Sequence, residues 1–329
     1  MGHFTFSSSG FSQLRQNVPM NVLVIGANGQ DGSILCDLLK AQGINYVGLT
    51  RNTISYSKET IERSVDLSRF ESAQNFLDQV KPSHIVHLAA VHAPSGAMFE
   101  AGERLFDEMY KCHVQITRNI LEWQLRNPKT KSLIALSSQM YSSQKQNPFI
   151  TLESHLNPSS KYGETKAESW RLIKQYRSAH NVKALGLILF NHTSSRSKPN
   201  FLFPELASQF SNILNGKDSV IKIRDTEAFI DIFSAEELGE GLIRCIESEF
   251  AQDVIFSSGR YVKISEVICD AAQILGIEDF IELVSTHPTD RLTPLHGDIS
   301  NTFETLKWVP NSAPSEILAK MVKEVHHTD

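Results

Sequence analysis

The chain has 329 residues, 41% of them hydrophobic, and a formal net charge of −5 at pH 7. This length suits one large domain or two closely packed ones, and the mild acidity gives no reason to expect nucleic acid as a partner. No stretch is long and apolar enough to predict a membrane span, and the cysteines lack the paired spacing of a metal site.

The start of the chain is expected to stand apart from the fold. Residues 1–20 lack the basic start and the continuous apolar core of a signal peptide, which predicts a flexible leader. The four cysteines are scattered along the chain, a distribution typical of reduced thiols. We therefore expect a cytoplasmic protein.

Gly26, Gly29 and Gly32 form a spaced glycine motif directly after the apolar run at 21–25. Gly26 permits a sharp turn from strand to helix, Gly29 lets the backbone approach a pyrophosphate, and Gly32 lets helix and strand pack closely. A helical pattern follows, and a second strand is predicted at 45–50. This order predicts a dinucleotide-binding turn. The motif residues expected to contact the cofactor are Gly26, Asn28, Gly29, Gln30, Asp31 and Gly32.

The end of the second strand bears on the choice of cofactor. NAD binders usually place an acidic residue there, whereas this chain has Arg51, which suits a 2′-phosphate and favours NADP(H) over NAD(H). Asp66 and Leu67 are expected at the adenine edge. The buried strand predicted at 84–90 should end over the cofactor, and His92, just beyond it, is a candidate substrate contact. The strand-end residues expected at the cofactor are Leu88, Ala89 and Ala90.

Tyr162 and Lys166 lie one turn apart on a predicted helix. An ammonium group favours the phenolate, so Lys166 is expected to lower the pKa of Tyr162 and to hold the nicotinamide ribose. The run at 132–138 predicts a buried strand that ends in the hydroxyls of Ser137 and Ser138, where they can bond a substrate oxygen. Together these side chains predict hydride transfer with a tyrosine as acid or base.

Strands and helices alternate as far as residue 190, which predicts an α/β fold with a Rossmann-type doubly wound parallel sheet. We expect a dinucleotide-binding domain at 21–190 and a smaller C-terminal substrate-binding lobe, formed mainly by 191–329. Segments near 229–259 should return to the larger domain. Apolar spacing also predicts one long helix over 105–125.

Several motifs together resemble those of one family, the extended short-chain dehydrogenases that remodel nucleotide sugars. They lie at 26–32, 189–193, 200–204, 297–298 and 306–310. Within the family the chain is most similar to the branch of GDP-mannose 4,6-dehydratases and 4-keto reductases. The resemblance implies NADP(H), a nucleotide-diphosphate sugar with a GDP-linked one favoured, and a homodimer formed through a four-helix bundle.

The resemblance also implies roles for individual residues. Tyr162 is the expected acid or base, Lys166 its partner, and Ser137 the third member of the triad. Arg224 and Arg291 suit a diphosphate, because a guanidinium fork matches phosphate geometry. Other implied cofactor contacts are Leu189, Asn191, His192 and Arg196, the last near the cofactor or a neighbouring subunit, and implied substrate contacts are Asn191 and Asn200.

Gln139, also a candidate catalytic position, departs from the dehydratase pattern. In dehydratases this position is the glutamate that removes the proton at carbon 5, and an amide is not a general base. Water elimination would then need another acid, such as Glu164. Hydride transfer at carbon 4 needs only Tyr162, Lys166 and Ser137.

Three functions stay open at this point. The favoured one is a 4-keto-6-deoxy nucleotide-sugar reductase that uses NADPH, with Tyr162 as proton donor. The second is a 4,6-dehydratase of GDP-mannose or a related GDP-sugar, with tightly held NADP and another residue in place of the glutamate. The third is an NADP-binding sensor or scaffold without turnover. No metal is expected in any of them.

Overall fold

The computed structural model describes residues 20–56, 60–92, 103–141, 149–217, 219–249, 252–277, 282–286 and 295–326. Arg291 and all of the predicted leader except Met20 lie outside these residues. Within the described ranges, no helix is long and apolar enough to cross a membrane.

Apolar runs form the strands, and Val22, Leu23 and Val24 in the first of them are completely buried. In chain order the strands are β1 (Asn21–Ile25), β2 (Asn45–Leu49), β3 (Thr53–Tyr56), β4 (Thr60–Glu62), β5 (His84–His87), β6 (Lys131–Ala135), β7 (Phe149–Ile150), β8 (Lys183–Leu189), β9 (Asn191–Thr193), β10 (Val220–Ile223), β11 (Phe229–Ile230), β12 (Ile232–Ser234), β13 (Val254–Phe256), β14 (Val262–Lys263), β15 (Glu282–Ser285) and β16 (His296–Gly297).

The large sheet has eight strands in the order β13-β8-β6-β5-β1-β2-β3-β4. Its pairs from β13 to β2 are parallel, with β1 between β2 and β5. This confirms the predicted Rossmann-type fold. The edge differs, because β3 and β4 run antiparallel to their neighbours. The tight turn in which Thr50 N–H donates to Thr53 O at 2.9 Å is too short for a parallel crossover.

Helices alternate with the strands along the chain. They are α1 (Gln30–Ala41), α2 (Phe70–Val80), α3 (Glu103–Tyr110), α4 (Ile116–Arg126), α5 (Lys161–His180), α6 (Leu202–Leu214), α7 (Ala235–Glu247), α8 (Ile264–Ile274), α9 (Ser300–Leu306) and α10 (Pro314–His326). The single long helix predicted over 105–125 is instead α3 and α4, joined by one turn of π-helix at Lys111–Gln115.

Parts of the second half of the chain return to the large sheet. Strand β13 pairs with β8 in parallel, and α7 packs on α1. A glycine permits that helix contact, because a Cβ on Gly239 would lie 2.8 Å from the side chains of Ile34 and Leu38. Strand β11 pairs instead with β14, outside the large sheet.

Two apolar cores underlie the fold. The larger one surrounds the sheet, and the smaller one joins α6, α8 and α10 through residues such as Phe203, Phe210, Ile268 and Leu318. Burial of such side chains contributes about 1.5–3 kcal/mol each. The second core gives the later part of the chain a rigid support beside the ends of the parallel strands.

Asp253, just before β13, ties the sheet to helix α5. Its carboxylate accepts hydrogen bonds from Trp170 Nε1 at 2.8 Å, from Gly186 N–H at 2.7 Å and from both terminal nitrogens of Arg177 at 2.9 and 2.8 Å. The side chain is buried, and every donor is a protein group. Such a fully paired buried carboxylate fixes the position of the helix relative to β8.

We expect Asp253→Ala to lower the free energy of unfolding by about 3 kcal/mol, because it leaves Arg177 and the Gly186 N–H without their acceptor. Urea unfolding followed by circular dichroism measures this. Glu168→Ala is the control, since it removes an exposed carboxylate 3.2 Å from Arg171 and should cost under about 1 kcal/mol. Equal losses in the two variants would contradict the assignment.

Candidate active site

The glycine turn is closed on three sides by backbone. Gly26 has φ +92°, and a Cβ there would lie 2.7 Å from Ala89 N. A Cβ on Gly32 would lie 2.1 Å from Gly26 O. Gly26 N–H donates to Leu49 O at 2.8 Å, which joins the turn to the end of β2. Only glycine fits at these two positions, so the ends of β1, β2 and β5 meet at one point.

Helix α1 begins at this turn without a side-chain cap. Its N-cap residue is Gly29, whose own Cβ position is crowded only by Gly26 O at 3.3 Å. The first N–H groups of the helix therefore point into an open place where an anion is favoured. Bare backbone at an uncapped helix start is what a dinucleotide diphosphate needs, so these residues fit a nicotinamide cofactor.

Other residues predicted for the cofactor lie around this turn. Leu88 and Ala89 are half-buried beyond β5, and Leu88 N–H donates to Ile25 O at 2.9 Å. Arg51 is exposed just after β2. Asp66 accepts from Ser68 N–H at 2.9 Å, and the neighbouring Leu67 is buried. Ala90 is exposed.

Helix α5 brings Tyr162 and Lys166 to the end of β6. The helix is capped by Ser160 Oγ, which accepts from Gly163 N–H at 3.1 Å. Both side chains are buried, and Lys166 Nζ donates to Ala135 O at 2.7 Å. Ser137 is close enough to Tyr162 to act on the pKa of the phenol, and its Oγ accepts from Gln139 N–H at 3.2 Å. The structure thus brings the three predicted catalytic groups together.

The pKa of Tyr162 is raised, opposite to the direction expected from the sequence. Burial is the main cause, the charges of Asp31 and Cys112 add to it, and the hydrogen bond from Ser137 opposes it. Burial also lowers the pKa of Lys166 to about 8. The sequence prediction failed because it counted the ammonium neighbour and not the loss of water around the phenol.

Gln139 lies beside the cap of α5. Its side chain is exposed, and its Oε1 accepts from Ser160 Oγ at 3.3 Å. Ser138 is half-buried, and Glu164 is exposed in the first turn of α5. The position thus holds a neutral amide that is engaged with a helix cap and has no proton-accepting carboxylate.

His92 contacts the ring of Tyr162. The two ring centroids are 4.8 Å apart at an interplanar angle of 79°, and Phe201 lies 5.4 Å from His92 on another side. Burial lowers the pKa of His92 to about 4, helped by Lys198 and Lys166. A neutral imidazole with its Nδ1 unpartnered among the described residues is therefore placed at the tyrosine.

His113 is a residue that the sequence analysis missed. It lies in the π turn, 1% exposed, with its ring 5.2 Å from that of Tyr162. Its Nε2 accepts from Val91 N–H at 3.1 Å, so the ring proton sits on Nδ1, which donates to Thr165 Oγ1 at 2.8 Å. Thr165 Oγ1 donates in turn to Tyr162 O at 2.9 Å. His113 thus links the loop that carries His92 to the helix that carries Tyr162.

The π turn explains why the predicted helix is interrupted. Two of its carbonyl groups bond to side chains: Cys112 O accepts from His87 Nε2 at 3.0 Å, and His113 O accepts from Ser169 Oγ at 2.9 Å. Turns of this kind recur at functional sites. The only sequence signal was a histidine on the buried face of a helix, which local hydrogen bonding explains equally well.

The residues predicted for the substrate are less closely grouped. Asn191 Nδ2 donates to Asp231 O at 3.0 Å, whereas Asn200 and Arg224 are exposed in the later part of the chain. Leu189 is buried at the end of β8. Among the described residues, no group of three or more His, Cys, Asp or Glu side chains is arranged to hold a metal ion.

The segment after β8 is bonded to the start of α1. His192 Nε2 lies 3.0 Å from Asp31 Oδ2. Ser194 Oγ donates to Gln30 Oε1 at 3.1 Å, and Arg196 NH2 donates to Asp37 Oδ2 at 2.7 Å. Arg196 is therefore held on α1 in this structure. The predicted cofactor residues of both regions form one connected group.

The lowered pKa of Lys166 predicts a change of stability with pH. Between its value of about 8 in the fold and its ordinary value of 10.5, the unfolded chain binds more protons at this position. The folded state then gains stability as pH rises. We expect the Tm of the wild type minus that of Lys166→Met to increase from pH 8 to pH 10.5 in scanning calorimetry. Exposed Lys222→Met is the control, and parallel Tm curves for wild type and Lys166→Met would contradict the burial of the ammonium.

Comparison with known proteins supplies the family. A model of the NAD dependent epimerase/dehydratase family matches residues 22–259. GDP-mannose 4,6 dehydratase 1 of Arabidopsis thaliana is 24% identical over 323 residues, which cover 92% of this chain and 88% of the relative. The GDP-mannose 4,6 dehydratase of Homo sapiens is 22% identical over 354 residues, covering 96% of this chain and 94% of the relative.

Solved structures agree on the fold. RMD from Pseudomonas aeruginosa, complexed with NADPH, superposes with a TM-score of 0.79 at 19% identity and covers 94% of this chain and 100% of its own. MoeE5, in complex with UDP-glucuronic acid and NAD, gives a TM-score of 0.76 at 20% identity with coverage of 94% and 100%. Because the family model spans the glycine turn, the helix that carries Tyr162 and Lys166, and the sheet as far as Gly259, this protein belongs to the NAD dependent epimerase/dehydratase family.

Proposed function

We propose that the protein is an NADP(H)-dependent oxidoreductase acting at carbon 4 of a nucleotide-diphosphate sugar, favoured as a 4-keto-6-deoxy nucleotide-sugar reductase. The observation that carries the proposal is a buried, proton-retaining Tyr162 with Ser137 and Lys166 beside it and an amide, Gln139, at the dehydratase glutamate position. The first three groups serve hydride chemistry. The amide removes the base that elimination needs.

The residues around the glycine turn would hold the cofactor. Gly26, Gly29 and Gly32 leave the backbone open to its diphosphate. The buried Lys166, on helix α5, would hold the nicotinamide ribose. The chemistry that a nicotinamide supplies there when bound is hydride transfer. Arg51, exposed at the end of β2 with no acid beside it, supports a 2′-phosphate and hence NADP(H).

Tyr162 suits the role of proton donor in a reduction. A carbonyl oxygen that gains negative charge must receive a proton, and the phenol keeps its proton because burial raises its pKa. The Ser137 hydroxyl can hold the same oxygen, since it lies near enough to Tyr162 to act on the pKa of the phenol. The ammonium of Lys166 stabilises the phenolate left after donation.

The substrate class rests on the relatives. GDP-mannose 4,6 dehydratases match along more than nine-tenths of the chain, which supports a GDP-linked sugar. The same relatives support a second candidate, a 4,6-dehydratase in which Glu164 or another acid replaces the missing glutamate. A sensor or scaffold without turnover is the third, and the complete set of Ser137, Tyr162 and Lys166 speaks against it.

Assembly and compartment complete the proposal. Helix α4, which continues from α3 through the π turn, packs on the long helix α5, and both carry exposed residues, which supports a homodimer formed through a four-helix bundle. All four cysteines are free, which supports a reducing compartment and thus the cytoplasm. Size-exclusion chromatography with light scattering tests the dimer.

The function is tested by mass spectrometry of two reactions. We expect a 4-keto-6-deoxy GDP-sugar with NADPH to gain two hydrogens, and GDP-mannose alone to stay unchanged. Tyr162→Phe should lower kcat about a thousandfold, because the proton donor is lost. Loss of water from GDP-mannose without added cofactor would instead establish the dehydratase.

Gln139→Glu is the matched variant for that decision. The substitution should create the missing base with almost no change in the shape of the side chain. Any gain in elimination is measured as loss of water from GDP-mannose by mass spectrometry. An unchanged reductase with no elimination would show that the amide is not what limits the chemistry. Absence of both reactions in a protein that still binds NADP would favour the sensor.

His113 gives a further prediction for this reaction. His113→Leu leaves the Val91 N–H without an acceptor and frees the loop that carries His92, so we expect kcat to fall about tenfold while KM for NADPH stays within about twofold. His113→Gln keeps an acceptor and a donor and should recover most of the loss. Equal kcat values for His113→Leu and the wild type, from steady-state kinetics, would contradict a positioning role.

A further inference from the structure

His192 and Asp31 form a buried pair that the catalytic triad does not use. Asp31 is the second residue of α1, and His192 lies in β9. Their side chains are only 19% and 15% exposed, and Nε2 of the imidazole lies 3.0 Å from the carboxylate. On the other side of the ring, His192 Nδ1 lies 2.8 Å from Phe190 O.

Both ring nitrogens of His192 therefore face acceptors. A carbonyl oxygen accepts only, and so does a carboxylate, so each nitrogen has to donate a proton. A neutral imidazole carries a single N–H, and the two contacts are satisfied together when the ring is the imidazolium cation and Asp31 is ionised. Gln30 Nε2 donates to the other oxygen of Asp31 at 2.9 Å, which fixes the carboxylate against the histidine.

The charges of the two groups support this assignment. Burial lowers the pKa of His192, but the charge and hydrogen bond of Asp31 outweigh it, and the net pKa is raised. Burial raises the pKa of Asp31, and the charge and hydrogen bond of His192 reverse that shift, so the net pKa is lowered. The pair is a cation beside an anion, largely shielded from water.

Asp31 places a carboxylate at the turn where an anion is expected to bind. Its carboxylate sits in the first turn of α1, at the same uncapped helix start that fits a diphosphate. Its field reaches the catalytic groups, because Asp31 acts on the pKa values of both Tyr162 and Lys166. Without a balancing cation, the Asp31 carboxylate would repel a diphosphate that binds to the N–H groups at the start of α1.

We propose that His192 is a charge-compensating residue for the cofactor: its imidazolium balances Asp31, so that the glycine turn presents no net negative charge to a dinucleotide diphosphate. The inference rests on the proposed function only in requiring that a nicotinamide dinucleotide binds. It does not depend on the sugar, on the direction of hydride transfer or on the choice between NADP and NAD.

The segment that carries His192 is held in the place this role requires. Ser194 donates to Gln30, Ser197 also bonds to Gln30, and Arg196 donates to Ser33 at 3.0 Å. These contacts bind the loop after β9 to the first turns of α1. The histidine is thus fixed relative to the helix start by its neighbours and not by the Asp31 contact alone.

A double-mutant cycle tests the proposal by equilibrium binding. NADPH fluorescence titrations give Kd for the wild type, His192→Gln, Asp31→Asn and the double variant. We expect His192→Gln to raise Kd about tenfold, more at low salt than at high salt, because the carboxylate is left unbalanced. Asp31→Asn removes the charge that the histidine balances, so in the double variant it should remove most of the loss caused by His192→Gln, whatever Asp31→Asn costs by itself.

His180→Gln is the control, since it removes an exposed histidine at the end of α5. Tm values for all variants show whether a higher Kd comes from loss of fold. If Asp31→Asn fails to restore binding to His192→Gln, the histidine acts by packing and the proposal is overturned. If the wild type binds neither NADP(H) nor NAD(H), the proposed function falls and this inference falls with it.

Nitrogen NMR of ¹⁵N-labelled histidines tests the charge directly. Subtracting the spectrum of His192→Gln identifies the signals of His192 among the twelve histidines of the chain. We expect two protonated ring nitrogens at a pH above the ordinary pKa of histidine. One protonated and one bare nitrogen in the wild type would overturn the proposal even if the binding data agreed.

Discussion

The buried ammonium of Lys166 is the constraint on which the rest of the site depends. The ammonium donates a hydrogen bond to Ala135 O, so the end of β6 and the start of α5 have to stay in register. A buried charge is costly unless its surroundings adjust. The nearby imidazoles of His87, His92 and His113 adjust by staying neutral, since burial and the Lys166 charge lower the pKa of each.

Neutral imidazoles have consequences for the geometry. A neutral His113 has one proton to give, and Val91 N–H decides that it goes toward Thr165. The carbonyl groups of the π turn then bond to His87 and Ser169. The same burial that lowers the pKa of Lys166 raises that of Tyr162, so the phenol keeps its proton. The charge of Lys166, the tautomer of His113 and the backbone of the π turn therefore depend on one another around α5.

Features that depend on residues close together in the sequence could be predicted from it. The glycine turn, the Tyr162 and Lys166 spacing and the parallel sheet follow from local rules: positive φ and close approach need glycine, one helical turn separates two side chains, and buried parallel strands are apolar. The contacts that sequence missed join distant segments. His192 meets Asp31 across 161 positions of the chain, and His113 meets Thr165 across 52. The spacing of apolar residues along the chain does not predict a contact between two such distant side chains.

The amino-acid sequence by itself determined the fold class, the site of the glycine turn and the types of side chain available for hydride chemistry, because each depends on a local pattern. Only the tertiary structure decided how those groups are charged. Burial reversed the expected pKa shift at Tyr162. Contacts between distant segments placed side chains on the carbonyl groups of the π turn at Lys111–Gln115 and set His192 against Asp31. Desolvation and long-range contacts are properties of the packed molecule, and they have no counterpart in the order of residues along the chain.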